Sequence, residues 1–77
     1  MGGRVEMQEF YIEVAEDSTD SSITYVGKAF VASDGDKSRP IWQILKITET
    51  GTSTSVTYAD GDVKFDNIWN DRETLSY

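Results

Sequence analysis

The sequence predicts an all-β protein, either a small barrel or a curled antiparallel sheet of four to five short strands, with one helical turn near Phe65–Trp69. Two patterns predict this class: segments rich in Val, Ile, Tyr and Phe that alternate between apolar and polar residues, and polar clusters with Gly, Asp or Ser that separate them. The chain has 77 residues, of which 12% are aromatic, and this suits one small packed core better than a disordered chain.

The first segment, Val5–Ala15, fits two patterns. An alternation typical of a half-buried strand is carried by Phe10, Ile12 and Val14. Helical spacing is carried by Met7, Phe10, Tyr11 and Val14. The aromatic and β-branched content favours a strand. Because Glu16–Ser22 is polar and typical of a loop, we expect residues 1–22 to form an N-terminal strand or arm plus loop, followed by a small β domain over residues 23–77, within a single domain overall.

The next strand is predicted over Ile23–Ala32, with Gly27 as either a bulge or a point where another element approaches closely. It is followed by the clearest loop of the chain, Ser33–Pro40. Within this loop Asp34-Gly35 is a residue pair typical of tight hairpin turns.

The segment Ile41–Glu49 is predicted to be a central strand, because apolar side chains occur on both of its faces. One face carries Ile41, Gln43, Leu45 and Ile47, and the other carries Trp42, Ile44 and Lys46. After a turn at residues 50–52, Ser53–Tyr58 returns as a strand, so the two segments form a β-hairpin.

The C-terminal part begins with a turn at Ala59–Asp62. Phe65–Trp69 follows as either a single helical turn or an irregular segment. Phe65, Ile68 and Trp69 lie at positions i, i+3 and i+4, so a helical turn would place all three on one side. Thr74–Tyr77 is predicted to end the chain as a short strand or a tail.

The composition excludes several kinds of chemistry. The chain has no Cys and no His, which excludes a Cys nucleophile, a disulfide, a Cys/His zinc site and a His general base. A core this small leaves little room for a deep substrate pocket, so no enzyme is predicted. The net charge of -7 and the scattered Lys and Arg disfavour a nucleic-acid partner. The sequence also lacks a run of about 18 apolar residues, so no membrane partner is predicted.

Three carboxylates, Asp60, Asp62 and Asp66, are candidates for a metal site, because calcium binds several oxygen ligands. The spacing departs from the EF-hand template at its fifth, sixth and twelfth positions, which hold Lys64, Phe65 and Asp71. Carboxylates in such turns commonly accept hydrogen bonds from nearby N–H groups instead. The sequence therefore predicts no metal and no cofactor.

Five side chains toward the C-terminal end are candidates for a protein interface, because aromatic residues and Arg are the usual anchors of interfaces. They are Tyr58, Phe65, Trp69, Arg72 and Tyr77. Two alternatives stay open at this point. Trp69 fits a core position as well as an anchor, and Tyr77 fits a C-terminus that packs on its own sheet.

Five motifs within Ile23–Tyr77 resemble those of a family of small proteins associated with the virions of tailed bacteriophages. In order, they are Tyr25-Val26-Gly27-Lys28-Ala29, Ile41-Trp42-Gln43-Ile44, Tyr58-Ala59-Asp60-Gly61-Asp62, Phe65-Asp66-Asn67-Ile68-Trp69-Asn70-Asp71-Arg72 and Leu75-Ser76-Tyr77. Their order and spacing are more specific than any single motif. Met1–Ser22 lies outside the resemblance.

The resemblance implies a structural protein of the virion that binds other virion proteins and further copies of itself, with no catalytic residues. Decoration of the capsid is the first expectation, and a small component of the tail, baseplate or fibre attachment is the alternative. A non-catalytic module is a competing class, binding a host protein or a glycan, the latter on Trp42, Trp69 or Tyr58. A third class is a small regulator of a host enzyme. Copy number in the virion separates these classes.

Overall fold

The computed structural model describes residues 9–77, and its main element is an open antiparallel sheet. Four strands follow one another in space as in sequence: β1 (Phe10–Glu16), β2 (Ile23–Phe30), β3 (Pro40–Thr50) and β4 (Ser53–Tyr58). A two-residue strand, β5 (Asn67–Ile68), pairs with the start of β3. The all-β class is confirmed, and because the sheet does not close, the architecture is the curled sheet and not the barrel.

The sheet has two faces of different burial. The core face is that of Tyr25, Gly27 and Ala29 on β2 and of Trp42 and Ile44 on β3, all of them buried. The residues between them belong to the open face. Because paired residues in an antiparallel sheet point to the same side, the register assigns every strand residue to one face.

The core is built around two indole rings on the core face. Trp42 is fully buried, its ring centroid lies 5.8 Å from that of Trp69, and its Nε1 donates a hydrogen bond to the carbonyl of Asp36. Gly27 lies beneath both rings: a Cβ at this position would lie 2.6 Å from Cζ3 of Trp69 and 3.1 Å from Cε3 of Trp42. Of the two roles predicted for Gly27, close approach is therefore the one observed.

The chain after β4 covers the core face. Ala59 and Trp69 are buried there, and Leu75 and Tyr77 pack against the cluster. The buried Asn67 on β5 fastens this segment, since its Nδ2 donates to the carbonyl of Trp42 at 3.1 Å. The C-terminus is held by a hydrogen bond from the Asp60 N–H to the Ser76 carbonyl.

The predicted hairpin of Ile41–Glu49 with Ser53–Tyr58 is confirmed, and β3 is central, paired with β2, β4 and β5. The helical turn is displaced from its predicted position. It occupies Trp69–Asp71 as a 3-10 turn, because Asn67–Ile68 is extended and paired with β3. The prediction that Phe65, Ile68 and Trp69 share one side of a helical turn is therefore wrong.

β2 is shorter than predicted, whereas two other segments agree with one of their predicted alternatives. β2 ends at Phe30, and Val31–Ser33 forms a 3-10 turn. Thr74–Tyr77 is a tail that packs on the core and not a strand. The strand predicted in Val5–Ala15 is observed as β1, and residues 5–8 of that prediction lie outside the described part of the chain.

Candidate assembly surface

The open face carries an aliphatic surface that crosses all four long strands. Because successive side chains of a strand point to opposite faces, each long strand contributes one or two apolar side chains to this surface, with polar residues beside them. The apolar members are Ile12, Val14, Val26, Leu45, Ile47, Val56 and Tyr58, and we refer to these seven as the open-face patch.

The register aligns the patch into rows across the sheet. The central row is continuous and apolar, running from β1 to β4 through Val14, Val26, Leu45 and Tyr58. Val14 is 63% exposed, and on the flanking rows Ile12 is 54% and Val56 53% exposed. The largest contiguous apolar patch on a protein surface is often functional.

Charges lie at opposite ends of the patch. Glu16 and Glu49 belong to the open face at one end of the strands: Glu16 pairs with Thr24, and Glu49 lies two residues beyond Ile47 on β3. At the other end, Lys28 lies between Ile12 and Gln43, with its Nζ 4.6 Å from the centroid of the Phe10 ring. The patch therefore has an acidic end and a basic end.

An aromatic cluster bounds the basic end. Phe30 contacts both Phe10 and Phe65, with ring centroids 4.9 and 4.4 Å apart. Nearby, Gln43 Nε2 donates to the carbonyl of Val63 at 2.8 Å. Ala59, Trp69, Leu75 and Tyr77, all after β4, pack at the core, and of the open-face patch Ile12, Val14 and Val56 stay exposed while the other members are half-buried.

Three of the predicted interface candidates lie around the core. Trp69 is only 4% exposed, and this favours its alternative as a core residue. Arg72 stacks over the Trp69 ring at 4.7 Å, and among the described residues its buried Nε has no hydrogen-bond partner. Tyr77 packs on Tyr25, with its hydroxyl donating to the Arg72 carbonyl. Burial raises the pKa of Tyr77 to about 12.

The other two candidates lie on the opposite side. Phe65 belongs to the aromatic cluster, and Tyr58 closes the central row of the open-face patch. The aliphatic members of the patch are not among the interface residues predicted from the sequence. The signal that identifies them is the second apolar face of Ile41–Glu49, continued by alternating residues on the neighbouring strands.

The metal candidates do not form a cluster. Within residues 9–77, no three carboxylates come close enough together to hold a metal ion. Asp62 accepts a hydrogen bond from the Lys64 N–H, and Asp60 occupies a turn with φ of 60°. Both residues thus belong to the turn that leads from β4 to the core face. Asp66 is exposed in the loop before β5.

The loop between β1 and β2 is held by one carboxylate. Asp17 accepts hydrogen bonds from the Tyr25 hydroxyl at 2.7 Å and from the N–H groups of Thr19 and Asp20. These bonds, above all that of Tyr25, lower the pKa of Asp17. Hydrogen bonds from the hydroxyl and N–H of Ser22 likewise lower the pKa of Asp20. Those from the hydroxyl and N–H of Ser38 lower the pKa of Asp36.

The free energy of unfolding should therefore fall in acid. A carboxyl with a lowered pKa in the folded state stabilises the fold above its unfolded pKa of about 4, and this contribution is lost as the pH falls through the folded value. We expect the urea midpoint to be constant from about pH 7 to 5 and to decrease below about pH 4. Asp17→Asn should make this decrease shallower, and the exposed Asp66→Asn should not. Equal acid profiles for wild type and Asp17→Asn would contradict the assignment.

No helix within the described ranges is both long and apolar enough to cross a membrane. Comparisons of the chain with protein-family models, with curated proteins and with solved structures found no match.

Proposed function

We propose that this chain is a structural protein of a bacteriophage virion, most specifically a capsid decoration protein, and that it associates with other protein subunits through the open-face patch. The observation that carries the proposal is the continuous apolar row of Val14, Val26, Leu45 and Tyr58, in which Val14 is exposed and the other three are half-buried. The virion as the place of assembly is proposed on the motifs that resemble those of tailed-phage proteins.

The distribution of side chains supports assembly over ligand binding. The two Trp residues contribute to the protomer core, so neither offers a ring on which a sugar could stack. What remains exposed on the open face is mainly aliphatic, and aliphatic side chains gain free energy by contact with another apolar surface. The members of the patch on β2 and β3 alternate with buried core residues of the same strands, which fixes their orientation.

The copy number of the chain in purified virions tests the proposal. For a decoration protein we expect hundreds of copies per particle by quantitative mass spectrometry, normalised to the major capsid protein. A few to tens of copies per particle would instead indicate a component of the tail, baseplate or fibre attachment. Absence from intact virions, with expression verified in infected cells, would overturn the proposal.

A further inference from the structure

We propose that the open-face patch is covered by the same patch of a second copy of this chain, in a two-fold dimer whose sheets pack face to face with the symmetry axis running across the strands. This inference rests on the proposed function, since it names the first partner of the assembly surface.

The area of the patch suits a weak, reversible dimer. Four strands about 4.8 Å apart and roughly six residues long give a face about 19 Å wide and 20 Å long. Each copy would cover on the order of 400 Å², so the total is about 800 Å², which is below the standard size and in the range of weak, transient contacts. The resulting two-layer sandwich has the usual spacing of about 10 Å and an aligned crossing of about 30°.

The charges select the direction of the axis. A two-fold axis across the strands reverses their ends, so Lys28 of each copy approaches Glu16 of the other. An axis along the strands would keep the ends together and bring Glu16 near Glu49 of the second copy. Opposite charges across an interface favour a register, and like charges disfavour it.

The same axis places the central row on itself. Val14, Val26, Leu45 and Tyr58 of one copy then face the same residues of the second copy, which makes the patch self-complementary. A single charge introduced at Val14 therefore meets its own copy across the axis.

Sedimentation of the full chain from about 1 µM to 1 mM tests the dimer, since a small interface predicts a dissociation constant at or above about 1 µM. We expect wild type to change from monomer to dimer over this range. Val14→Glu should weaken dimerisation at least tenfold. Thr57→Glu, an equally charged change at an exposed position on the core-face side of β4, should leave it unchanged.

The axis is tested by exchanging charges. Glu16→Lys and Lys28→Glu should each weaken the dimer several-fold, and the double variant should restore it. Circular dichroism verifies that each variant is folded. A wild type that stays monomeric at 1 mM, a trimer, or equal effects of Val14→Glu and Thr57→Glu would overturn the inference. A monomer that is nevertheless counted in hundreds of copies per virion would overturn only the dimer, because another virion protein would then cover the patch.

Discussion

Trp69→Ala should remove a large part of the free energy of unfolding. Trp69 is 4% exposed, and its ring contacts that of Trp42. The Arg72 guanidinium stacks over the Trp69 ring, 4.7 Å from the ring centroid. Removing a buried Trp side chain costs about 3–5 kcal/mol. A domain of this length has a total stability of about 4–12 kcal/mol, so the loss is a large part of it.

Urea unfolding followed by near-ultraviolet circular dichroism measures this effect. Val63→Ala, a truncation at an exposed loop position, is the control and should change the midpoint little. Trp69→Phe, which retains an aromatic ring, should lie between wild type and Trp69→Ala. If Trp69→Ala unfolded at the wild-type midpoint but no longer assembled, Trp69 would be an interface anchor and the core described above would be wrong.

Gly27→Val should be the second most damaging change. A Cβ at residue 27 meets Trp69 at 2.6 Å and Trp42 at 3.1 Å, so the rings must move to admit any side chain. Overpacking of this kind costs about 1–3 kcal/mol for a small insertion, and the branched Val exceeds the volume of Ala. The gain of up to about 1 kcal/mol from restricting the unfolded backbone does not offset it.

A double-mutant cycle separates the steric cause from a general intolerance of strand β2. Gly27→Ala should cost clearly less in the Trp69→Phe background than in wild type, because the smaller ring leaves space for the methyl group. Equal costs in the two backgrounds would show that contact with Trp69 is not the reason for glycine at this position.

Much of the sheet could be predicted from local patterns. The alternation of Ile41–Glu49 and the turn after it specify a hairpin because the side-chain period of a strand and the residues that favour turns are both local properties. The helical turn near Trp69 was misplaced for the opposite reason. Asn67–Ile68 pairs with residues of β3 that are more than 20 positions away in the sequence, and local sequence patterns do not predict such a contact.

The assembly surface was harder to identify than the fold. Sequence alone directed attention to aromatic residues, because they are common at interfaces, but Trp69 lies in the core here. Which of the two apolar faces of β3 is covered depends on where the chain after β4 packs. The structure shows that it packs on the face of Trp42, and this exposes the face of Leu45 to a partner.

Isotope-filtered NMR shows directly whether two copies of the chain meet through the open-face patch. In an equal mixture of ¹³C-labelled and unlabelled chains at about 1 mM, we expect intermolecular NOEs among the methyl groups of Val14, Val26 and Leu45. These NOEs should disappear in Val14→Glu and persist in Thr57→Glu. Methyl groups that show only intramolecular NOEs, together with NOEs to water, would contradict the pairing of two copies through this face.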